Sequence, residues 1–150
     1  MSDLRQLYQE TILDHHKRPR NFGTLERPTN HAEGHNPLCG DTINVTLQII
    51  DDKVADVRFE GSGCAISQAS ASMMTAAVKG KSRAEVEALF KQFHALVAED
   101  GQGAPNEELL DKLVVFGGVK EFPMRVKCAI LAWHTLRAAL SRSGETVTTE

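Results

Sequence analysis

The chain has 150 residues, of which 41% are hydrophobic and 25% charged, with a net charge of −3. This size suits one domain with a real core, and the near-average composition excludes a wholly disordered chain. The slight negative charge argues against a nucleic-acid partner. No apolar run approaches the ~20 residues of a membrane span, and the polar N-terminus lacks the apolar stretch of a signal peptide. We therefore expect no membrane partner and a cytoplasmic protein with reduced thiols.

The first half of the chain predicts a helix, a loop and a β-hairpin. In chain order these are a helix from Ser2 or Asp3 to about His16, a loop over 20–38 with one short strand near 31–35, and strands over 42–50 and 53–60. The two strands alternate apolar and polar residues and are separated by a short turn at Asp51–Asp52. That pattern indicates an antiparallel hairpin with one solvated face.

The second half predicts helices joined by polar loops. They are a helix of small residues over 65–78, a helix capped by Ser82 with Glu85 in a capping box, a loop over 99–106, a short helix over 107–115 broken by Gly117–Gly118, and a last helix from near Pro123. A polar tail from about 142 is expected to fray. We find no repeat and no boundary, so residues 1–150 are predicted to form a single domain.

The hairpin is predicted to bring together two of the three cysteines of the chain and one aspartate. Cys39 and Asp41 precede its first strand, and Cys64 follows its second strand at the start of a helix. Because the start of one strand lies beside the end of the next in an antiparallel hairpin, these side chains should be neighbours. The helix N-terminus also favours an anion, which predicts a lowered pKa for Cys64.

Cys128 completes the predicted site if the last helix packs with its start near the open end of the hairpin. The donors would then be the thiolates of Cys39, Cys64 and Cys128 and the carboxylate of Asp41. Thiolate-rich sets of this kind suit zinc or an iron–sulfur cluster and argue against Mg²⁺ or Ca²⁺.

Other interpretations of these residues remain open. The cysteines could be small buried hydrophobic residues. Alternatively, Cys64 could be a nucleophile with His35 or His134 as its base. Arg125, just before Cys128, could be a solvated charge or could stabilise an anion in sulfur transfer.

The chain resembles the U-type iron–sulfur cluster assembly proteins, the IscU/NifU N-terminal family, and most of all its SufU branch. The resemblance lies in LRQLYQETILDHHKRPRNFG, NPLCGDTI, FEGSGCAIS and RVKCAILAWHTL and covers nearly all of the chain. It implies an α+β fold, with a small antiparallel sheet of about three strands packed by helices. It also implies that Cys39, Asp41, Cys64 and Cys128 bind zinc or hold a [2Fe–2S] cluster.

Two departures from the IscU pattern favour the SufU branch. IscU proteins place a histidine directly before the last cysteine, where this chain has Lys127, and they carry a Leu-Pro-Pro-Val-Lys motif where it has Phe116-Gly-Gly-Val-Lys120. The chain also has the extra segment around 99–108 that lengthens SufU-like members. We therefore expect a zinc-bound acceptor of persulfide sulfur rather than a scaffold that a chaperone unloads.

The resemblance implies a partner, a pyridoxal-phosphate cysteine desulfurase of the SufS type, and downstream assembly or acceptor proteins. Cys39 is the predicted sulfur acceptor because Gly40 leaves its segment free to bend, and Arg125 is a candidate contact with the desulfurase. Any enzymatic activity would at most be that of a zinc-dependent sulfurtransferase. The alternatives are a scaffold for a [2Fe–2S] cluster, with iron binding, and a structural zinc module.

Overall fold

A computed structural model describes residues 2–37, 40–97, 107–141 and 145–148. Its elements are α1 (Ser2–Lys17), β1 (Asn30–Asn36), β2 (Asp41–Ile50), β3 (Lys53–Ser62), α2 (Ala65–Val78), α3 (Arg83–Val97), α4 (Glu107–Leu110), a 3₁₀ helix (Asp111–Glu121), α5 (Pro123–Ser141) and β4 (Glu145–Thr148). The predicted α+β class is confirmed, as are the hairpin and the short strand before it. Among the described helices, none is long and apolar enough to cross a membrane.

The sheet has the strand order β3-β2-β1-β4. The first three strands pair antiparallel, and the residues of one face are buried against α2 and α5. Glu33, His35 and Asn44 point to the opposite face and are exposed. This is the layer arrangement expected of an α+β domain whose sheet is covered on one side.

The C-terminal tail departs from the prediction, because Glu145–Thr148 does not fray. It forms β4 and pairs parallel with β1, from Ala32 opposite Glu145 to His35 opposite Thr148. Without β4 the outer edge of β1 would present unpaired backbone N–H and C=O groups, and pairing satisfies them. The strand was not predicted because the tail has low hydrophobicity, although three of the four residues of β4 are β-branched.

The predicted hairpin turn and capping box both form. Asp51 and Asp52 adopt positive φ angles of 52° and 64°, as in the type I′ turns that match the twist of paired strands. The hydroxyl of Ser82 accepts the Glu85 N–H at 3.2 Å, and the Glu85 carboxylate accepts the Ser82 N–H at 3.0 Å. These reciprocal bonds fix the start of α3.

The predicted break at Gly117–Gly118 is wrong. The α-helical part of this region covers only Glu107–Leu110, and the 3₁₀ helix then continues through both glycines to Glu121. Phe116 and Val119, on either side of the pair, are both buried. Burial of these flanking side chains holds the segment in a helical path, and this outweighs the low helix propensity of glycine.

Helix α5 is the central element of the domain and contacts β1, β2, α2 and α3. Residues 128–133 are all buried, and the Trp133 ring stacks on Phe93 with centroids 4.5 Å apart. An amphipathic helix with one apolar stripe through Ala129 and Trp133 would leave Cys128 off that stripe. A helix packed on several sides is instead apolar nearly all round, so Cys128 is buried as well.

Gly34 allows a close approach between β1 and α5. A Cβ atom at this position would overlap the Thr135 hydroxyl and lie 3.1 Å from the side chains of Ile43 and Leu131. The Thr135 hydroxyl is itself fixed by a 2.8 Å bond to the Leu131 carbonyl. The absent side chain therefore sets the distance between the sheet and the helix that carries Cys128.

We expect Gly34→Ala to lower the free energy of unfolding by about 1–3 kcal/mol, the usual cost of overpacking a core. Urea unfolding of the parent and variant chains measures this loss. The double variant Gly34→Ala/Thr135→Ala should regain part of it, because the overlapping hydroxyl is gone. Equal stability of Gly34→Ala and the parent would contradict the close approach.

Candidate metal centre

Three elements that are far apart in sequence bring three donor side chains together. Asp41 is the first residue of β2, Cys64 precedes α2, and Cys128 lies in the second turn of α5. One donor atom from each, an aspartate oxygen and two sulfurs, lies within 4.8 Å of the others. Asp41 is 0% exposed and Cys128 3% exposed, whereas Cys64 is half-buried. The cluster thus opens to solvent on the side of Cys64.

Cys64 is the N-cap of α2, as the sequence predicted. Its φ and ψ angles are −72° and 164°, and its sulfur accepts the Ser67 N–H at 3.4 Å. Its own backbone N–H donates to the Asp41 carboxylate at 2.9 Å. The predicted proximity of Asp41 and Cys64 is therefore confirmed by a direct hydrogen bond.

Gly63 makes room for this hydrogen bond. Its φ angle is 154°, and a Cβ atom there would overlap the Asp41 carboxylate. A larger residue would push the chain away from Asp41 and break the contact with Cys64. The glycine that precedes Cys64 is thus needed for this close approach.

The surroundings lower the pKa of the Cys64 thiol from 9.0 to about 7. The largest cause is a hydrogen bond with Cys128, helped by the backbone N–H groups of Ser67 and Ile66 at the helix N-terminus. Burial and the negative charge of Asp41 act in the opposite direction. The net effect favours the thiolate, which is the form that binds metals and attacks sulfur.

Asn36 is part of the site, and the sequence analysis missed it. It is the last residue of β1, it is 0% exposed, and its Nδ2 donates to the Cys128 sulfur at 3.7 Å. The strand alternation could have indicated it, since Ala32, Gly34 and Asn36 all face inward. A polar residue at an inward position of a short strand is unusual and needs a partner.

Of the other predicted site residues, one is not described and one lies outside the cluster. Cys39 lies outside the described residues. Arg125 is exposed on the first turn of α5, with its guanidinium carbon 4.6 Å from the Phe122 ring centroid. Phe122 and its neighbour Met124 are each 46% exposed. Arg125 therefore belongs to a partly apolar surface at the start of the helix that carries Cys128.

The geometry does not support a cysteine–histidine nucleophile. His35 is exposed on the uncovered face of the sheet, and the ring of His134 packs on Phe90 with centroids 5.3 Å apart. Burial lowers the pKa of His134, as do the charges of His94 and Arg137. Within the described chain, the Cys64 sulfur contacts Asp41, Cys128 and the backbone N–H groups of Ser67 and Ile66, none of which is a histidine.

The donor set fits a zinc ion better than a hard cation. Bond lengths of about 2.0–2.3 Å place tetrahedral zinc ligands roughly 3.4–3.8 Å apart. The Cys64 sulfur lies 3.8 Å from Asp41 Oδ2, and the donor atoms of the cluster all lie within 4.8 Å of one another. Two sulfurs and a carboxylate at these distances suit zinc, or iron in a cluster.

Comparison with known proteins agrees with this architecture. The family described as NifU-like N terminal domain matches residues 7–146. The chain belongs to this family.

Two of its relatives carry names that describe different roles. The iron–sulfur cluster assembly scaffold protein IscU of Streptococcus pyogenes is 43% identical over 95% of this chain and 88% of its own length. The zinc-dependent sulfurtransferase SufU of Bacillus subtilis is 39% identical over 94% of both chains. A crystal structure from Fervidobacterium islandicum, described as a candidate scaffold protein for the SUF system, is 38% identical, with a TM-score of 0.81 over 90% of this chain and 97% of its own.

We expect the Cys64 thiol of the metal-free protein to alkylate with a midpoint near pH 7. Iodoacetamide labelling at several pH values measures that midpoint. Mass spectrometry then identifies which cysteine is modified. Cys128→Ala should raise the midpoint, since it removes the hydrogen bond that contributes most to the lowered pKa. Asp41→Asn should lower it, because the opposing negative charge is lost. A midpoint that stays the same in both variants would contradict the geometry.

Proposed function

We propose that the chain is a zinc-bound acceptor and carrier of sulfur in iron–sulfur cluster assembly. The observation that carries this proposal is the convergence of Asp41, Cys64 and Cys128 from three separate elements. Family membership supports it, because a relative of nearly equal length is named a zinc-dependent sulfurtransferase.

The zinc ligands in this proposal are Asp41, Cys64 and Cys128, with Cys39 as the fourth. One residue, Gly40, separates Cys39 from Asp41, so covalent geometry alone keeps their Cα atoms within roughly 7.6 Å. A bound zinc ion would keep the coordinating sulfurs in the thiolate form at neutral pH. The buried Asp41 contributes a harder and more exchangeable ligand than a fourth thiolate would.

Sulfur transfer then follows ordinary thiol–disulfide chemistry. The Cys39 thiolate attacks the outer sulfur of a cysteine persulfide on the donor enzyme. A new S–S bond forms on Cys39, the S–S bond of the donor breaks, and the donor cysteine leaves as a thiolate. Electrons balance without an external oxidant, and Cys39 carries a persulfide for the next protein.

The donor is proposed to be a pyridoxal-phosphate cysteine desulfurase of the SufS type, and the recipients are cluster assembly or acceptor proteins. Phe122, Met124 and Arg125 form an exposed surface on the turn that precedes Cys128. Exposed aromatic, methionine and arginine side chains are enriched at protein interfaces, which supports Arg125 as a contact with the desulfurase. We place the transfer in the cytoplasm, where free thiols persist.

A scaffold for a [2Fe–2S] cluster is the second candidate. It is favoured by the Streptococcus pyogenes relative, which is named a scaffold and is 43% identical. Thiolate ligands serve a cluster as well as they serve zinc. Lys127, at the position where IscU proteins carry a histidine, supports the sulfur-acceptor role over this one.

Metal content and the visible spectrum of anaerobically purified protein are the first test. We expect one zinc per chain and no visible absorbance. Iron, sulfide and a brown colour would overturn the zinc assignment and support the scaffold. The variants Cys64→Ser and Cys128→Ser should lose zinc. The control Glu60→Ala, which removes an exposed carboxylate near the C-terminal end of β3, should retain it.

Persulfide transfer is the second test and identifies the acceptor. After incubation with a SufS-type desulfurase and cysteine, mass spectrometry should find the added sulfur on Cys39. Cys39→Ser should accept none, because the attacking thiolate is missing. Full acceptance by Cys39→Ser would refute this acceptor.

Asp41→Ala separates the two candidate functions. In a sulfur carrier it should weaken zinc binding and reduce stimulation of the desulfurase, since a ligand is lost. In a scaffold it should stabilise the bound cluster, since the most exchangeable ligand is lost. Zinc competition and the lifetime of a reconstituted cluster measure the two effects. If neither changes, Asp41 has no role at the metal.

A further inference from the structure

We propose that Asn36 is a positioning residue for the Cys128 sulfur. Its amide holds that sulfur in the direction required for metal binding. The inference rests on the proposed metal site, and it adds a residue that is not itself a ligand. It also explains why a polar side chain lies buried at the end of β1.

The position of Asn36 is fixed by the sheet. It pairs in register with Asp41 across β1 and β2, and both residues are 0% exposed. Two neighbouring strands therefore place one residue each at the cluster: β2 supplies the carboxylate donor, and β1 supplies an amide that contacts Cys128 on α5. Asn36 thus joins the sheet half of the site to the helix half.

The direction of the amide matters. Its N–H group faces the sulfur at 3.7 Å, and N–H groups donate well to a thiolate. The opposite orientation would place an oxygen lone pair against the sulfur and repel it. Among the described residues, the amide oxygen of Asn36 has no hydrogen-bond partner although it is buried. A buried polar atom without a partner lowers stability. The presence of an asparagine at position 36 is therefore not explained by a contribution to the stability of the fold.

Asn30, at the other end of the same strand, offers an internal comparison. Its Nδ2 also donates to α5, at 2.8 Å, but to the backbone carbonyl of Ala139. An asparagine at each end of β1 therefore binds the same helix. Of these two bonds, the Asn36 bond reaches a donor atom of the cluster and the Asn30 bond reaches only the helix backbone. Comparing variants at the two positions therefore distinguishes loss of helix attachment from loss of sulfur positioning.

The test is zinc affinity in Asn36→Leu, which keeps side-chain size but removes the amide. Competition with a chromophoric chelator should show zinc binding weakened about 10- to 100-fold, the usual effect of removing a hydrogen-bond partner of a metal ligand. Co²⁺ in place of zinc gives a second readout. Its sulfur-to-metal charge-transfer and ligand-field bands should shift in the variant, because the Cys128 sulfur is no longer held in one direction.

Asn30→Leu is the matched control and should keep the zinc affinity and the Co²⁺ spectrum of the parent. Thermal unfolding of the metal-free proteins measures the stability lost in both variants. Asn36→Ser, which retains a small polar group but cannot reach the sulfur, replaces Asn36→Leu if that variant does not fold. Unchanged zinc affinity and an unchanged Co²⁺ spectrum in a folded Asn36 variant would overturn the positioning role. A parent chain that binds no zinc would instead overturn the proposed function.

Discussion

The hydrogen bond from the Cys64 backbone N–H to the Asp41 carboxylate is the contact on which the site depends. A fully buried carboxylate is costly unless donors compensate its charge. Here the compensation comes from the N-terminal end of α2, where backbone N–H groups point outward and the helix dipole is positive. The same bond therefore stabilises the buried aspartate and fixes the entrance of α2 beside the start of β2. Cys64 is placed as a consequence.

The other half of the site depends on helix packing. Cys128 lies on α5, which the sheet, α2 and α3 surround, so its position is set by the hydrophobic core. Densely packed cores transmit small changes in volume to their neighbours. Contacts such as the approach of Gly34 to Thr135 therefore affect the metal site, although they lie outside it. The packing that stabilises the fold therefore also sets the position of Cys128.

Sequence reasoning found the parts of the site that depend on local pattern. The alternation of residues 42–60 predicted the hairpin, and antiparallel pairing then placed Asp41 beside Cys64. The role of Asn36 was not predicted, because its partner is 92 residues away and the contact exists only after α5 packs on β1. The continuation through Gly117–Gly118 and the pairing of β4 were missed for the same reason. In both, tertiary contacts outweigh local propensity.

The donors of the cluster are widely spaced along the chain: Asp41 and Cys64 are 23 positions apart, and Cys128 lies a further 64 positions along. An ion bound by all three would close two large loops at once. Because these donors meet only in the folded chain, a bound ion would stabilise the folded state and not the unfolded one. Metal supply would then control the lifetime of the protein as well as its chemistry, since a chain that loses its ion loses its cross-link. A cell short of the bound metal would then hold less of this protein, not merely an inactive form of it.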